Sequence, residues 1–358
     1  MSETTPAPGT LSRGLAMLFG LAAATIAVTG LRSASGIVGP VFLALVLTIA
    51  VHPARRWLHR MHVPTWAASL LCVITVYVLL VGLTFALVAA TTRFAELLPT
   101  YQKEFTNMVN GITSWLAGLG IGQDQLQSLE KAIDPGTIAN VVASLVGSLL
   151  DLATNLFFIL TLVLFLTMDA TAFPDHLARS GVARGPLVDA LIGFAVGTRS
   201  YLVVSTVFGL IVAVIDTGAL ALLGIPVPLL WGLLAFITNY IPNIGFVIGL
   251  VPPAVLGLLE GGPGLCIAVV VVYCLVNLVI QTVIQPKIVG DTVGLSTSLT
   301  FISLVFWAWV LGALGALLAI PLSLLVKAVL VDVDPRTRWL VPLLSNRAAA
   351  DDEEPVGS

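Results

Sequence analysis

Apolar residues in this chain come in long unbroken runs rather than in alternating or amphipathic patterns. No Lys, Arg, Asp or Glu occurs between Arg13 and Arg32, Arg32 and Arg55, Arg60 and Arg93, Asp151 and Asp169, Glu260 and Lys287, or Asp291 and Lys327. A further run from Arg199 to Glu260 is interrupted only by Asp216, and Gly224-Ile225-Pro226-Val227-Pro228 cuts it in two. About 20 apolar residues in a helix cross the hydrocarbon core of a bilayer, so the pattern predicts about eight transmembrane helices. The first run is expected to be retained, because no small-x-small cleavage site precedes a polar start and a second apolar run follows at once.

One stretch has soluble character. From Arg93 to Asp151, Tyr101, Phe105, Met108, Ile112, Trp115 and Leu119 recur at spacings of 4, 3, 4, 3 and 4, a heptad seam. Pro99 suits a first helical turn, and Gly118, Gly120 and Gly122 end the helix. A second helix carrying Leu126, Leu129 and Ile133 is expected before Asp134-Pro135-Gly136. This insert either packs on itself or the membrane surface, or joins copies of the chain. The resulting division is 1–92 with three membrane helices, 93–147 as extramembrane insert, 148–330 with five membrane helices, and 331–358 as a cytoplasmic tail ending in Asp351-Asp352-Glu353-Glu354. The stretch from Asp169 to Arg199 reads as an amphipathic connector at the cytoplasmic interface.

Composition sharpens this picture. Of 358 residues, 58% are hydrophobic and 10% charged, against roughly 25% charged in soluble domains. The fold class is therefore an all-α integral membrane protein, and a soluble enzyme is excluded. Net charge is -3, which offers no electrostatic footprint for nucleic acid. Cys72, Cys266 and Cys274 sit in apolar runs without CxxC spacing, and His52, His59, His62 and His176 lie in connecting segments. No metal and no cofactor is expected. Arg55, Arg56 and Arg60, with Arg336, Arg338 and Arg347 after the last run, place both termini in the cytoplasm of a cell (inner or plasma) membrane protein by the bias of short loops.

Catalytic patterns are missing: there is no GxxxxGK, GxSxG or HExxH. Three other features point to a transport pathway. The first is Asn239-Tyr240-Ile241-Pro242-Asn243-Ile244-Gly245, in an apolar run that also holds Pro252-Pro253. Proline removes a backbone donor, and interrupted backbone within a bilayer is tolerated only inside protein or along a wet cavity. The second is a polar stripe, Asn277, Gln281 and Gln285, at helical spacing on one face. It either joins helices or lines a path. The third is the run from Thr292 to Val331, about a third longer than one upright span needs, with Gly312, Gly315 and Pro321. Paired interrupted helices mark midplane sites in transporters; each run here could be a kinked span or a re-entrant hairpin. Asp216 is the lone acid within a span, hence a candidate for ion or proton coupling, or a solvated residue at the outer interface.

Taken together, Trp231 through Gly245, Pro252-Pro253, Gln285-Pro286-Lys287-Ile288-Val289-Gly290, and Gly312 through Pro321-Leu322 resemble the autoinducer-2 exporter (AI-2E) family of permeases. The insert between spans three and four matches that family's layout. The resemblance implies an oligomeric transporter exporting small molecules, autoinducer-2 in some members, with others being sodium or lithium/proton antiporters. Matched by motif, its signature positions are Asn239, Tyr240, Pro242, Asn243, Gly245, Pro286, Gly290, Gly315 and Pro321.

The residues themselves bear on the cargo. A cavity lined by Thr238, Asn239, Tyr240, Asn243, Gln281 and Gln285 offers neutral donors and acceptors, which suits a small polyol. A monovalent-cation antiporter would rest almost entirely on Asp216. A non-transporting scaffold organised by the heptad insert would need neither interrupted helices nor a polar stripe. The expected mechanism is alternating access, with the segments Asn239 to Pro253 and Pro286 to Pro321 moving around a midplane site and Gly261-Gly262-Pro263-Gly264 as the permissive turn.

Overall fold

The computed structural model describes residues 13–118, 156–169, 185–242, 244–285 and 295–334, with the single residues 147 and 287. Among these the regular structure is entirely helical, as the long apolar runs require. In chain order the helices are α1 (Arg13–Ser33), α2 (Ser35–Arg60), α3 (Thr65–Leu97), a 3-10 turn (Leu98–Tyr101), α4 (Gln102–Gly118), α5 (Leu156–Asp169), α6 (Pro186–Leu222), α7 (Pro228–Thr238), α8 (Gly245–Asn277) with a π-helical extension (Leu278–Ile284), α9 (Thr297–Leu317) and α10 (Ala319–Lys327) with a second π-helical extension (Ala328–Asp332). The protein is an all-α membrane protein, and several of the expected spans have unexpected shapes.

The first two predicted spans meet at a bend of 87° at Ala34. Arg32, at that bend, lies 4.6 Å from the ring centroid of Trp309 on α9, a cation–π contact. Helix α6 differs from expectation at its start. Its 37 residues extend about 55 Å at 1.5 Å per residue, so the second half of the expected connector forms its first turns. Pro186 initiates it, where a missing N–H costs nothing, and Ala190 and Phe194 are already buried. The helical part of the insert is present as α4, which follows the 3-10 turn holding Pro99. The insert's second helix, the first half of the connector (170–184) and the tail beyond residue 334 lie outside the described residues.

Two stretches double back. Helix α7 has 11 residues, about 16 Å, too short for a hydrocarbon core of about 30 Å. The chain turns at residues 239–244 and returns as the first arm of α8. A Cβ on Gly249 would lie 3.6 Å from the Cα of Ala235, although 14 residues of straight helix separate two positions by about 21 Å. Residues 228–260 are therefore a hairpin, here hairpin A, and not one kinked helix.

Helix α8 reverses in its turn. Pro252 and Pro253 lie inside it without departing from helical geometry, whereas Gly261 and Gly262 leave it, the latter at φ 70°. Only glycine adopts that conformation without a Cβ penalty. Past this point the chain returns: a Cβ on Gly257 would be 3.5 Å from the Cα of Cys266, against about 13 Å along one straight helix. The expected turn at Gly261-Gly262-Pro263-Gly264 is thus where the reversal falls.

The last apolar run repeats the device as hairpin B. Gly312 has φ 67°, and a Cβ on Gly315 would sit 2.7 Å from the carbonyl carbon of Trp307. The Trp307 indole N–H then donates to Ser323 Oγ at 3.0 Å across the hairpin. The largest core surrounds hairpin B, joining Phe42 and Val46 of α2, Phe194 and Tyr201 of α6 and Leu318 to Leu322, and Ile241 and Ile244 at the tip of hairpin A pack against it. A second core holds the base of hairpin A, with Leu220, Ile225, Trp231, Leu256, Val269 and Tyr273. There Trp231 donates to the Pro226 carbonyl at 3.0 Å and stacks edge-on against Phe94 of α3. Helix α5 fills the space between α2 and α3 through Ile159, Leu160 and Val163.

Candidate functional site

Hairpin A reaches its place because α6 presents a groove to it. Ser205, Gly209, Ala213 and Thr217 recur every four residues along one face of α6, the small-residue pattern that lets helices approach closely. Gly232 of α7 fits against Ala213 and Thr217, and the side chain of Asn239 lies over Gly209, where an added Cβ would meet Asn239 Cβ at 3.2 Å. At the far end the Asn239 amide donates to the Ser205 carbonyl at 2.8 Å. In the other direction Gln281 donates from Nε2 to Asn239 Oδ1 at 2.8 Å. Asn239 thus bridges α6 and the π-helical end of α8, occupying both sides of its carboxamide.

Tyr240 fixes the tip separately. Its carbonyl accepts from the Tyr201 hydroxyl at 2.6 Å, and its own hydroxyl shares a 2.6 Å hydrogen bond with Thr206. In the turn around Pro242 the Ile241 N–H donates to the Thr238 carbonyl and the Gly245 N–H to the Ile241 carbonyl. Removing the Tyr240 hydroxyl with Tyr240→Phe leaves the Thr206 hydroxyl bonded to the Leu202 carbonyl. A single neutral hydrogen bond contributes about 0.5–1.5 kcal/mol, so a drop of that size in unfolding free energy is expected, and thermal or denaturant unfolding in detergent measures it.

Behind the bridge lies a cavity lined by Asp216, Thr238, Asn239, Tyr273, Asn277 and Gln281, with Gly245 and Gly249 forming a bare wall. Its volume is about 20 Å³, room for about one water molecule. Asp216 is 1% exposed, so the solvated interfacial alternative fails: the carboxylate points inward from α6 rather than outward. Three oxygens around the cavity, Asp216 Oδ1, the Tyr273 hydroxyl and Asn277 Oδ1, are buried without a hydrogen-bond partner.

The structure brings together Asp216, Asn239, Gly245, Asn277 and Gln281 of the expected set. It separates others. Gln285, one turn beyond Gln281, is half-buried and does not line the cavity, because the stripe passes into a π-helix between Leu278 and Ile284 that ends before it. Tyr240 is clamped to α6 at the hairpin tip and Pro242 lies in the turn that follows, and neither lines the cavity. Gly315 and Pro321 belong to hairpin B, where they pack the reversal instead of facing the cavity. Asn243, Pro286 and Gly290 lie outside the described residues.

Sequence reasoning passed over Ser205, Gly209 and Tyr273. The first two had a signal in the four-residue repeat of small side chains along α6, and Tyr273 is the polar position one turn before Asn277 on the stripe already recognised.

Residues 15–333 match the family described as AI-2E family transporter. The chain is 32% identical over 319 residues to AI-2 transport protein TqsA of Escherichia coli (strain K12), covering 88% of this chain and 92% of that protein. It is 30% identical over 324 residues to the putative transport protein YhhT of the same organism, covering 90% and 92%. A sodium-lithium/proton antiporter of Halobacillus andaensis is 20% identical over 302 residues, covering 78% of this chain and 85% of its own.

Proposed function

This chain belongs to the AI-2E transporter family, and we propose that it exports a small polar solute of the autoinducer-2 type by alternating access through the cavity behind Asn239. The chain is a multi-pass membrane transporter; the cargo, the direction and the mechanism are the proposal. One observation carries it: Asn239, Tyr273, Asn277 and Gln281, neutral hydrogen-bonding side chains in an otherwise apolar body, converge on one cavity at the tip of an interrupted helix. Such convergence of a few polar groups orients a ligand.

A cavity with room for about one water admits no solute, so passage requires hairpin A to leave the groove on α6. The groups that release are few: the Asn239 bonds to Ser205 and Gln281, and the two bonds of Tyr240. Hinges stand at the base of the hairpin. Val227, the residue before α7, has φ 52°, a conformation costly for a β-branched side chain, and Gly261-Gly262 closes the other end. Pro242, Gly245, Gln285, Gly315 and Pro321, with Asn243, Pro286 and Gly290, belong to the two moving segments on this reading. The same reading has the chain work in the cell's inner or plasma membrane as a homo-oligomer. On this reading both termini lie in the cytoplasm, as the Lys/Arg bias of the short loops favours.

A second reading, sodium or lithium exchange for protons, is favoured by the burial of Asp216 beside the same polar groups. Purified protein in proteoliposomes separates the two. Counterflow of labelled autoinducer-2 that survives Asp216→Asn is expected for a neutral-solute exporter. Sodium- or lithium-driven proton movement that disappears in the same variant, without autoinducer-2 counterflow, makes the chain an antiporter.

A further inference from the structure

Two positive charges on the helices around hairpin B are matched by their neighbours, and a third is not. Arg32 lies 4.6 Å from the ring centroid of Trp309. Lys327, at the end of α10, donates from Nζ to both carboxylate oxygens of Asp332 at 2.9 and 3.0 Å. Arg199 of α6 has no such answer. Its Nε is buried without a hydrogen-bond partner, and among the described residues no carboxylate lies within ion-pair distance of it. A guanidinium keeps its charge at any physiological pH, and an unmatched charge in a membrane helix is costly.

The surroundings of Arg199 are apolar and open. Ile192, Val196, Val203 and Leu210, at i−7, i−3, i+4 and i+11, share its face of α6, and each is about half exposed. In a membrane protein such a face is turned to lipid. Depth follows from length. Arg199 stands 23 residues before Leu222, the end of α6, which is about 35 Å along the helix. The hydrocarbon core is about 30 Å thick, so with the Gly224 turn at one surface Arg199 falls at the headgroup level of the opposite leaflet.

The ligand that fits is an anion carrying its own apolar cover. The planar fork of a guanidinium matches two phosphate oxygens at once. A soluble anion would leave Val203 and Leu210 bare, whereas the acyl chains of a phospholipid lie along them. We propose that Arg199 and the exposed face of α6 around it form a binding site for one anionic phospholipid, its phosphate on the guanidinium. Thr206, at i+7 on the same side of α6, stands about 10 Å further along and holds the Tyr240 hydroxyl. A lipid seated on Arg199 therefore borders the clamp on the tip of hairpin A.

The test is thermal unfolding of the delipidated full chain in neutral detergent, titrated with phosphatidylglycerol. Phosphatidylcholine is the net-neutral control, and inorganic phosphate is the anion without acyl chains. A saturable rise in Tm with phosphatidylglycerol, absent with the other two, is expected for the wild type. Arg199→Gln is expected to weaken the apparent affinity at least tenfold. Arg199→Lys, which keeps the charge and loses the fork, is expected to weaken it several-fold. Val196→Glu leaves the arginine in place and offers it a carboxylate one turn away, and is expected to lose the lipid effect as Arg199→Gln does. Arg60→Gln, exposed at the end of α2, is expected to titrate as wild type. If Arg199→Gln is not monodisperse, the Arg199→Lys and Val196→Glu variants decide. The proposal is overturned if the wild type shows no rise specific to phosphatidylglycerol, as a guanidinium facing only water would. Inorganic phosphate giving the same rise overturns it in favour of a soluble-anion site, and so do Arg199 and Val196 variants that keep the rise unchanged. Every readout is made without transport, so the outcome does not depend on the cargo.

Discussion

Gly245→Ala and Gly315→Ala each prevent the chain from reaching a monodisperse folded state, while Gly82→Ala and Gly218→Ala leave it intact. At Gly245 the added Cβ runs into the Thr238 carbonyl, and at Gly315 into the Trp307 carbonyl. Both obstacles are backbone, which cannot rotate away as a flexible side chain could. Overpacking a core by a methyl group costs about 1–3 kcal/mol where side chains adjust. Here the antiparallel arms must separate, which also dislodges Asn239 and Tyr240 on one side and the Trp307–Ser323 hydrogen bond on the other. Around Gly82 and Gly218 no atom lies within 4 Å of an added Cβ, so those substitutions have space. Size-exclusion profiles and cooperative unfolding of the four variants check the prediction, and a monodisperse Gly245→Ala protein with wild-type Tm would mean that the hairpin is not packed as described.

Asn239→Ala has the second large effect, on transport more than on folding. The substitution strips the bridge between α6 and α8, removes the second bond to the Ser205 carbonyl and leaves the Gln281 amide without its partner. A buried polar group left unpaired costs about 1–3 kcal/mol, and each 1.4 kcal/mol is tenfold in an equilibrium. If docking of hairpin A is a step of the cycle, solute counterflow in proteoliposomes falls about 10- to 100-fold, while Tm falls only modestly because both hydrophobic cores are untouched. The double variant Asn239→Ala/Gln281→Ala is expected to lose little more than Asn239→Ala alone, since the two side chains share one interaction. Strictly additive losses would show that they act apart.

Much of the site was legible along the chain. Asn239, Asn277 and Gln281 announce themselves because a carboxamide in an apolar run must be turned toward protein or water. Asp216 stands out for the same reason. Its orientation was not legible: eight residues from Gly224 it could face the interface or the interior, and only the packing of α7 and α8 on α6 encloses it. Tyr240 looked like a cavity residue by proximity, yet Tyr201 and Thr206, 39 and 34 residues away in sequence, draw it to α6. Gln285 followed the stripe in sequence but not in space, because the helix widens to π geometry beneath it.

The membrane character, the helical class and the interruptions at Pro242, Gly261-Gly262 and Gly312 were legible in the sequence alone. They follow from local properties, namely unbroken apolarity, a proline that removes a backbone donor, and glycines that permit positive φ. Whether an interrupted run kinks or folds back, which carbonyl a glycine must clear, and which polar groups share one cavity were decided by the tertiary structure. Those outcomes depend on backbone contacts between segments many residues apart, such as Ala235 with Gly249 and Trp307 with Gly315, where the absence of a side chain on one partner acquires meaning only when the other arrives.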